Sequence, residues 1–190
     1  MFSLFRFIFW ITFFIIIFIV RRLKKKNTYS LEPKRFLLFI LLFIILVTFS
    51  GFIPVDNAFI TFSTPEQSYK YCDNSDLAYV IEGNQSAMVV STNKDYLIIP
   101  KSENGRKIGM GANTKTKKQL IDSGFWISLI EHDKIEDCYI MIYSAEKIIN
   151  ISDSIDTVFG VSEDCRFAYA YIEEYKDPYT VVINGISITV

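Results

Sequence analysis

Two long apolar runs near the N-terminus enclose a short basic segment, and this arrangement constrains the fold more than any other feature. Phe7–Val20 and Phe36–Val55 contain no charged residue, and the first run lengthens to 19 residues when it is extended back past Arg6. A helix of about 20 apolar residues can cross the roughly 30 Å of hydrocarbon in a bilayer. We therefore predict two transmembrane helices, at about residues 4–20 and 36–54, with the Arg6 side chain reaching the interface.

The basic segment, residues 21–35, predicts how such an anchor is oriented. It carries seven of the eight Lys and Arg residues of residues 1–55, and basic loops beside spanning helices stay on the cytoplasmic side. Residues 56–190 are then expected to form an extracytoplasmic domain at the cell membrane. They hold 12 basic and 20 acidic side chains, a net charge of −8 that disfavours nucleic acid as a partner.

A cleaved signal peptide is the alternative interpretation of the second run. Lys34 and Arg35 precede a 12-residue apolar core, Phe36–Val47, and a cleavage site would fall near Thr48–Ser50. The apolar run upstream favours the two-helix anchor, as does the full length of the second run.

Composition changes at Asp56, beyond which the pattern predicts a β-rich domain. Ten of the 11 Tyr lie there, and Tyr suits half-buried sheets. Thr64-Pro65-Glu66-Gln67 has the pattern of an N-cap, a first-turn proline and a capping box, which predicts one short helix ending near Cys72. Short β-branched and aromatic segments then predict strands at Leu77–Ile81, Ser86–Val90, Tyr96–Ile99, Phe125–Ile130, Cys138–Tyr143, Phe167–Ile172, Tyr179–Ile183 and Ile186–Val190.

Turn signals connect these segments as hairpins. Asn184-Gly185 is the strongest of them, and Asn104-Gly105, Asp133-Lys134 and Asp177-Pro178 also indicate turns. The segment Gly109–Asp122 is the least regular, and we expect an exposed loop or one short helix there. The predicted fold class is α+β, mostly β: two N-terminal transmembrane helices, one short helix, and an antiparallel β-meander or sandwich-like domain.

Three short motifs in the first part of this domain resemble those of a known group of proteins. They are Ser63-Thr64-Pro65-Glu66, Val80-Ile81-Glu82-Gly83, and Pro100-Lys101-Ser102-Glu103-Asn104-Gly105. The chain resembles small, uncharacterised, low-GC Gram-positive proteins with S-T-P-E, V-I-E-G and P-K-x-E-N-G motifs. The resemblance implies an N-terminal hydrophobic segment and an extracytoplasmic domain, and it implies no activity. The chain departs from the pattern at Arg106, where that group has Trp.

Residues that could carry chemistry are few. His132 is the only histidine, and Glu131-His132-Asp133 with Glu136-Asp137 resembles an acid–base cluster. The cluster falls between two predicted strands, which favours a solvated hairpin tip over a catalytic site. Asp153-Ser154-Ile155-Asp156 lacks the ligand alternation and the turn glycine of a calcium loop. We therefore predict no catalytic, cofactor-binding or metal-binding residues, and no cofactor.

The three cysteines leave two possibilities open. Cys72, Cys138 and Cys165 form no C-x-x-C pair, which disfavours zinc and thioredoxin-type chemistry. A Cys138–Cys165 disulfide is one possibility, and free buried thiols are the other.

Recognisable nucleophile and phosphate-binding motifs are missing, so the sequence favours a binding protein over an enzyme. We expect a membrane-anchored, extracytoplasmic, non-catalytic domain that binds a protein or peptide in an envelope, sensing or immunity role. The expected partners are the membrane and another envelope or membrane protein. One alternative is a cell-envelope hydrolase without a known motif; another is an accessory subunit acting through its helices, with Arg6 as the residue involved.

Overall fold

A computed structural model describes residues 2–24, 33–50, 55–109 and 114–190 of the chain. The chain divides into two compact units, Met1–Ile60 and Thr61–Val190. The predicted basic loop lies partly outside the described residues, at 25–32, as does the end of the second apolar run, at 51–54.

The first unit contains two helices, α1 (Phe2–Lys24) and α2 (Pro33–Ser50), and a 3₁₀ turn at Val55–Ala58. Rings from both helices pack edge to face: Phe43 lies 6.2 Å from Phe7 and 5.3 Å from Phe14, measured between ring centroids. Aromatic pairs at such distances add to the stability that apolar burial supplies.

The two predicted transmembrane helices are wrong on this structure. No helix among the described residues is long and apolar enough to cross a membrane. The uncharged part of α1, Phe7–Val20, is about 21 Å long, and that of α2, Phe36–Ser50, about 22 Å, both short of the roughly 30 Å needed. The two-span cell-membrane localisation, which depends on these helices, is contradicted with them.

The second unit opens with the predicted short helix, α3 (Pro65–Cys72). Thr64 is its N-cap, and the Thr64 side chain accepts a hydrogen bond from the Gln67 amide, 3.4 Å away. The Gln67 side chain in turn accepts from the Ser63 amide at 3.2 Å. Since the first amides of a helix have no partner within it, these side chains fix where α3 begins.

Twelve strands follow α3 and form three antiparallel sheets. The first sheet has the order β1-β2-β3-β4, the central sheet β5-β6-β7-β10-β9, and the third sheet β12-β11-β8. The strands are β1 (Leu77–Glu82), β2 (Ser86–Ser91), β3 (Tyr96–Ser102), β4 (Gly105–Arg106), β5 (Thr114–Asp122), β6 (Phe125–His132), β7 (Ile135–Ser144), β8 (Ile151–Asp153), β9 (Gly160–Val161), β10 (Phe167–Ile172), β11 (Thr180–Ile183) and β12 (Ile186–Thr189).

The three sheets are stacked in layers, and the central sheet contributes a different face to each of two cores. One core lies between the central and third sheets, where Ile140 and Ile142 of β7 meet Val181 and Ile183 of β11. The other lies between the central and first sheets, where Tyr139 and Met141 meet Met88 and Ile98. A third, smaller core joins Tyr69 of α3 to Val89 and Ile99 on the outer face of the first sheet.

All eight predicted strands are confirmed, because alternation of side chains marks them wherever a sheet face is buried. In β10 the aromatic residues face the first sheet and the small residues face the third. Asn184-Gly185 forms the predicted two-residue turn, with φ of 51° and 83°.

The prediction of a loop or helix at Gly109–Asp122 is wrong, apart from residues 110–113, which lie outside the described residues. Thr114–Asp122 is β5, a nine-residue strand at one edge of the central sheet. Its lysines form ion pairs: Lys115 with Asp133 at 2.5 Å, and Lys117 with Glu131 at 2.8 Å. Charged edge strands of this kind discourage pairing with another chain, and they also lack the apolar alternation that reveals a strand.

Candidate functional site

An open cleft of about 650 Å³ lies between β1 of the first sheet and β10 of the central sheet, both in the second unit. The segment between β8 and β9 closes one side of it. The cleft is lined by Val80, Ile81 and Glu82, by Ile155, Asp156, Thr157, Val158 and Gly160, and by Tyr169, Ala170, Tyr171, Glu173 and Glu174.

The edge of β1 that faces away from β2 forms one wall of the cleft. The Gly83 N–H donates to the Ser86 carbonyl at 2.9 Å, and this bond starts an antiparallel ladder between β1 and β2. Bonded and non-bonded pairs alternate along such a ladder, so Ile81 bonds to β2 while the main-chain groups of Val80 and Glu82 point outward. Since β1 is the terminal strand of its sheet among the described residues, these groups open into the cleft.

Strand β10 forms the opposite wall. The Ser144 N–H donates to the Arg166 carbonyl at 2.9 Å, which places the even-numbered residues of β10 in bonded pairs with β7. The main-chain groups of Tyr171 therefore point away from β7. Strand β9 pairs with Ala168 and Tyr169 and does not extend along β10 as far as Tyr171. The cleft thus lies beside two strand edges.

The segment 155–160 is held in place by Asp153. Its Oδ1 accepts from the Ile155 amide at 3.2 Å and the Thr157 amide at 2.9 Å, and its Oδ2 accepts from the Tyr179 hydroxyl at 2.6 Å. Burial opposes ionisation of this carboxyl, but the hydrogen bonds from Thr157, Tyr179 and Ile155 outweigh it, and the pKa of Asp153 is lowered. This carboxylate therefore caps the turn that follows β8.

A buried polar cluster lies beneath the end of the cleft. Asp137 of β7 is 3% exposed, and its carboxylate accepts from the Gln85 amide at 2.9 Å and the Ser86 hydroxyl at 2.7 Å. Its other oxygen accepts from the Tyr171 hydroxyl at 3.2 Å. The Tyr139 hydroxyl lies 2.8 Å from the Ser86 hydroxyl and completes the cluster.

The tyrosines of this cluster stay protonated at physiological pH. Burial raises the pKa of Tyr139 far above its ordinary value of 10.0, an effect that the hydrogen bond with Ser86 only partly offsets. Burial also raises the pKa of Tyr171, and the neighbouring Asp137 raises it further. Both hydroxyls are therefore donors, and neither is poised to act as a base.

The charges that line the cleft are of one sign. Glu82, Asp156, Glu173 and Glu174 contribute four carboxylates, and no lining residue is basic. Glu82 is neutralised outside the cleft by Arg106, at 2.5 Å, and Lys101, at 3.6 Å. Glu174 pairs only with Lys176, at 3.6 Å, and both side chains are about three-quarters exposed, so solvent weakens that contact. The cleft therefore carries a negative potential.

The predicted solvated hairpin tip is wrong for His132. This residue ends β6, is 7% exposed, and its Nδ1 accepts a hydrogen bond from the Lys134 amide at 3.2 Å. Glu136 is exposed and Asp133 lies in the turn, as expected for a hairpin tip. Asp137, the last residue of the suspected acid–base cluster, is buried and belongs to the polar cluster beneath the cleft.

Of the two possibilities for the cysteines, the Cys138–Cys165 disulfide does not form, and both of these residues are thiols. Cys138 is buried in the core between the central and third sheets, and burial raises the pKa of its thiol to about 12. Among the described residues, no group of His, Cys, Asp and Glu is arranged to hold a metal ion. The side chain of Arg6 lies outside what the structure describes.

Sequence reasoning missed Ser86 and Tyr171, and it placed Asp137 at a solvated hairpin tip although this residue is buried. Each occupies a predicted strand or its border, but residue type alone does not reveal that side chains 51 and 34 positions apart meet. One signal was available: Asp137 directly precedes an apolar strand, and a carboxylate on a buried strand requires hydrogen-bond donors.

Comparison of the chain with protein-family models, with curated proteins and with solved structures found no match. The resemblance to the Gram-positive group stays a prediction. The function has to be inferred from the cleft itself, since function resides in sites and not in folds.

Proposed function

We propose that residues 61–190 form a non-catalytic module that binds an extended segment of a partner protein as an added strand on β1. One observation carries this proposal: the outward main-chain groups of Val80 and Glu82 open into the cleft. Addition of a strand to an open sheet edge is a common mode of peptide recognition, in which main-chain bonds provide affinity. The six residues of β1 offer an edge of about 20 Å.

The cleft beside this edge supplies pockets for side chains. Side chains of a bound strand alternate between two faces, so every second one would enter the cleft and contact the rings of Tyr169 and Tyr171. Val158, which is 88% exposed, offers an apolar contact at the rim. A volume of about 650 Å³ holds several side chains.

Charge complementarity points to a basic partner segment. Asp156, Glu173 and Glu174 line the cleft with no basic residue among its lining, and residues 56–190 carry a net charge of −8. Such a field attracts Lys- and Arg-rich segments and repels nucleic acid. Aromatic rings beside the carboxylates also favour cationic side chains.

The proposal is tested by selecting displayed random decapeptides on the full-length chain. We expect selected peptides that carry a net positive charge and contain β-branched residues, and we expect proline to be depleted from their centre. A selected peptide, labelled with fluorescein, should bind saturably when its fluorescence anisotropy is measured against protein concentration.

The edge itself is tested with a matched pair of variants, Val80→Pro and Val80→Thr. Proline removes an outward N–H and leaves the ladder to β2 intact, so the Kd should rise about tenfold. Threonine keeps the N–H and the branched shape, so the Kd should change less than about twofold. Equal binding by the two variants, or selected peptides without a positive charge, would contradict the proposal.

A further inference from the structure

Asp137 connects the two walls of the cleft. It lies on β7, the middle strand of the central sheet, yet two of its hydrogen bonds come from the hairpin of β1 and β2: from the Gln85 amide in the turn and from the Ser86 hydroxyl at the start of β2. Another comes from Tyr171, whose ring lines the opposite wall, and a longer one, at 3.5 Å, comes from Tyr139 of β7 itself. One carboxylate therefore binds both the first sheet and β10.

This junction differs from the rest of the interface between the first and central sheets, which is formed by apolar side chains such as Met88, Ile98 and Met141. A buried carboxylate is costly to desolvate, and apolar packing would join the sheets without that cost. The hydrogen bonds to this carboxylate are directional, so they fix the distance and orientation of the groups that donate to it, which apolar contacts do not.

Gly83 shows how closely the end of β1 is seated on this cluster. A Cβ at this position would collide with the Tyr139 hydroxyl and the Asp137 carboxylate, and would press on the Tyr171 ring. Glu82, whose outward main-chain groups form part of the binding edge, directly precedes Gly83 and is the last residue of β1. A shift of the cluster would therefore shift the edge.

We propose that Asp137 is a positioning residue for peptide binding: it holds the β1 edge and the Tyr171 ring at the separation that a bound strand requires. This inference rests on the proposed function. It predicts that the cleft loses affinity when the hydroxyl of Ser86 or of Tyr171 is removed, although neither hydroxyl needs to touch the peptide.

The decisive comparison is between Tyr171→Phe and Tyr143→Phe in the full-length chain. Both remove a hydroxyl from a tyrosine that packs against the core between the first and central sheets, but only the Tyr171 hydroxyl donates to Asp137, and Tyr143 does not line the cleft. Tyr171→Phe should raise the Kd of the selected decapeptide five- to tenfold, and Tyr143→Phe less than twofold. Ser86→Ala should weaken binding similarly, and the double variant Ser86→Ala/Tyr171→Phe should show less than the product of the two effects, because both act through one carboxylate.

A second measurement needs no peptide. Amide hydrogen exchange followed by NMR reports on the Gln85 N–H, which donates to Asp137 from the other wall. Tyr171→Phe should speed exchange at Gln85 several-fold, and Tyr143→Phe should leave it unchanged. Unchanged Gln85 exchange in Tyr171→Phe would overturn the positioning role. If exchange responds as expected but no decapeptide binds the wild-type chain, the coupling between the walls stands and the proposed function fails, and with it the role of Asp137 in binding.

Discussion

His132 shows at the level of one residue how burial changes the chemistry that a sequence suggests. Burial lowers the pKa of this histidine below its ordinary value of 6.5, while Asp133 opposes and Lys134 reinforces the shift. The unfolded chain then takes up the proton first as pH falls. The folded state is therefore fully stabilised above about pH 6.5 and loses stability as the pH falls toward the pKa of the folded state.

We expect His132→Asn to remove this pH dependence without removing the local hydrogen bond. An Asn side-chain oxygen can replace Nδ1 as the acceptor for the Lys134 amide, and it does not titrate. Urea unfolding at pH 7.5 and pH 5.5 should show that the wild type loses more unfolding free energy on acidification than the variant does. Equal losses would show that His132 contributes nothing to the pH dependence of stability.

At the level of elements, the hairpin between β5 and β6 shows that a two-residue turn can have positive φ at both positions without an Asn-Gly pair. Ser123 and Gly124 connect these strands with φ of 49° and 83°, much as Asn184 and Gly185 connect β11 and β12. Gly124→Ala should lower the unfolding free energy by about 1 kcal/mol, because alanine is strained at positive φ. No atom lies within 4 Å of the added Cβ, so the loss measures backbone conformation alone.

Ser123→Asn is the matched change in the same turn. Asn tolerates positive φ better than Ser, so this variant should be as stable as the wild type or slightly more stable in the same urea titration. Destabilisation by Ser123→Asn together with tolerance of Gly124→Ala would contradict the turn geometry.

The strands that the sequence predicts are those with a buried face. In β10 the alternation of rings and small residues reflects two different cores, and β2 and β7 likewise place alternate apolar residues in two cores. Strand β5 escapes prediction because it lies at an edge, where lysines paired with Glu131, Asp133 and Asp177 replace apolar residues. Short strands such as β9 are set by their neighbours and leave no pattern of their own.

The candidate site is less predictable than the strands because it depends on how whole sheets stack. Periodicity indicates which face of β1 is buried, but it does not indicate that the open edge of β1 lies over β10. The Asp137 cluster likewise requires the first sheet to lie against the central sheet. Apolar composition misled in the opposite direction at the N-terminus, where it predicted two spanning helices and no helix among the described residues is long and apolar enough to cross a membrane.

At the scale of the whole molecule, the three cores of the second unit predict that this unit folds without the first. Its sheets bury their apolar faces against one another and against α3, all within Thr61–Val190. A chain of 130 residues can bury enough apolar surface for a stable fold. A fragment spanning Thr61–Val190 should therefore give a far-ultraviolet circular dichroism spectrum dominated by β-structure and unfold in urea in one cooperative transition.

Ile140→Ala, in the core between the central and third sheets, should lower the unfolding free energy of this fragment by about 2–5 kcal/mol, since Ile140 is fully buried. Ile121→Ala is the control, because Ile121 is 74% exposed and its loss should cost less than about 0.5 kcal/mol. A fragment that unfolds gradually, or that responds equally to the two substitutions, would show that these cores do not suffice to hold the unit together.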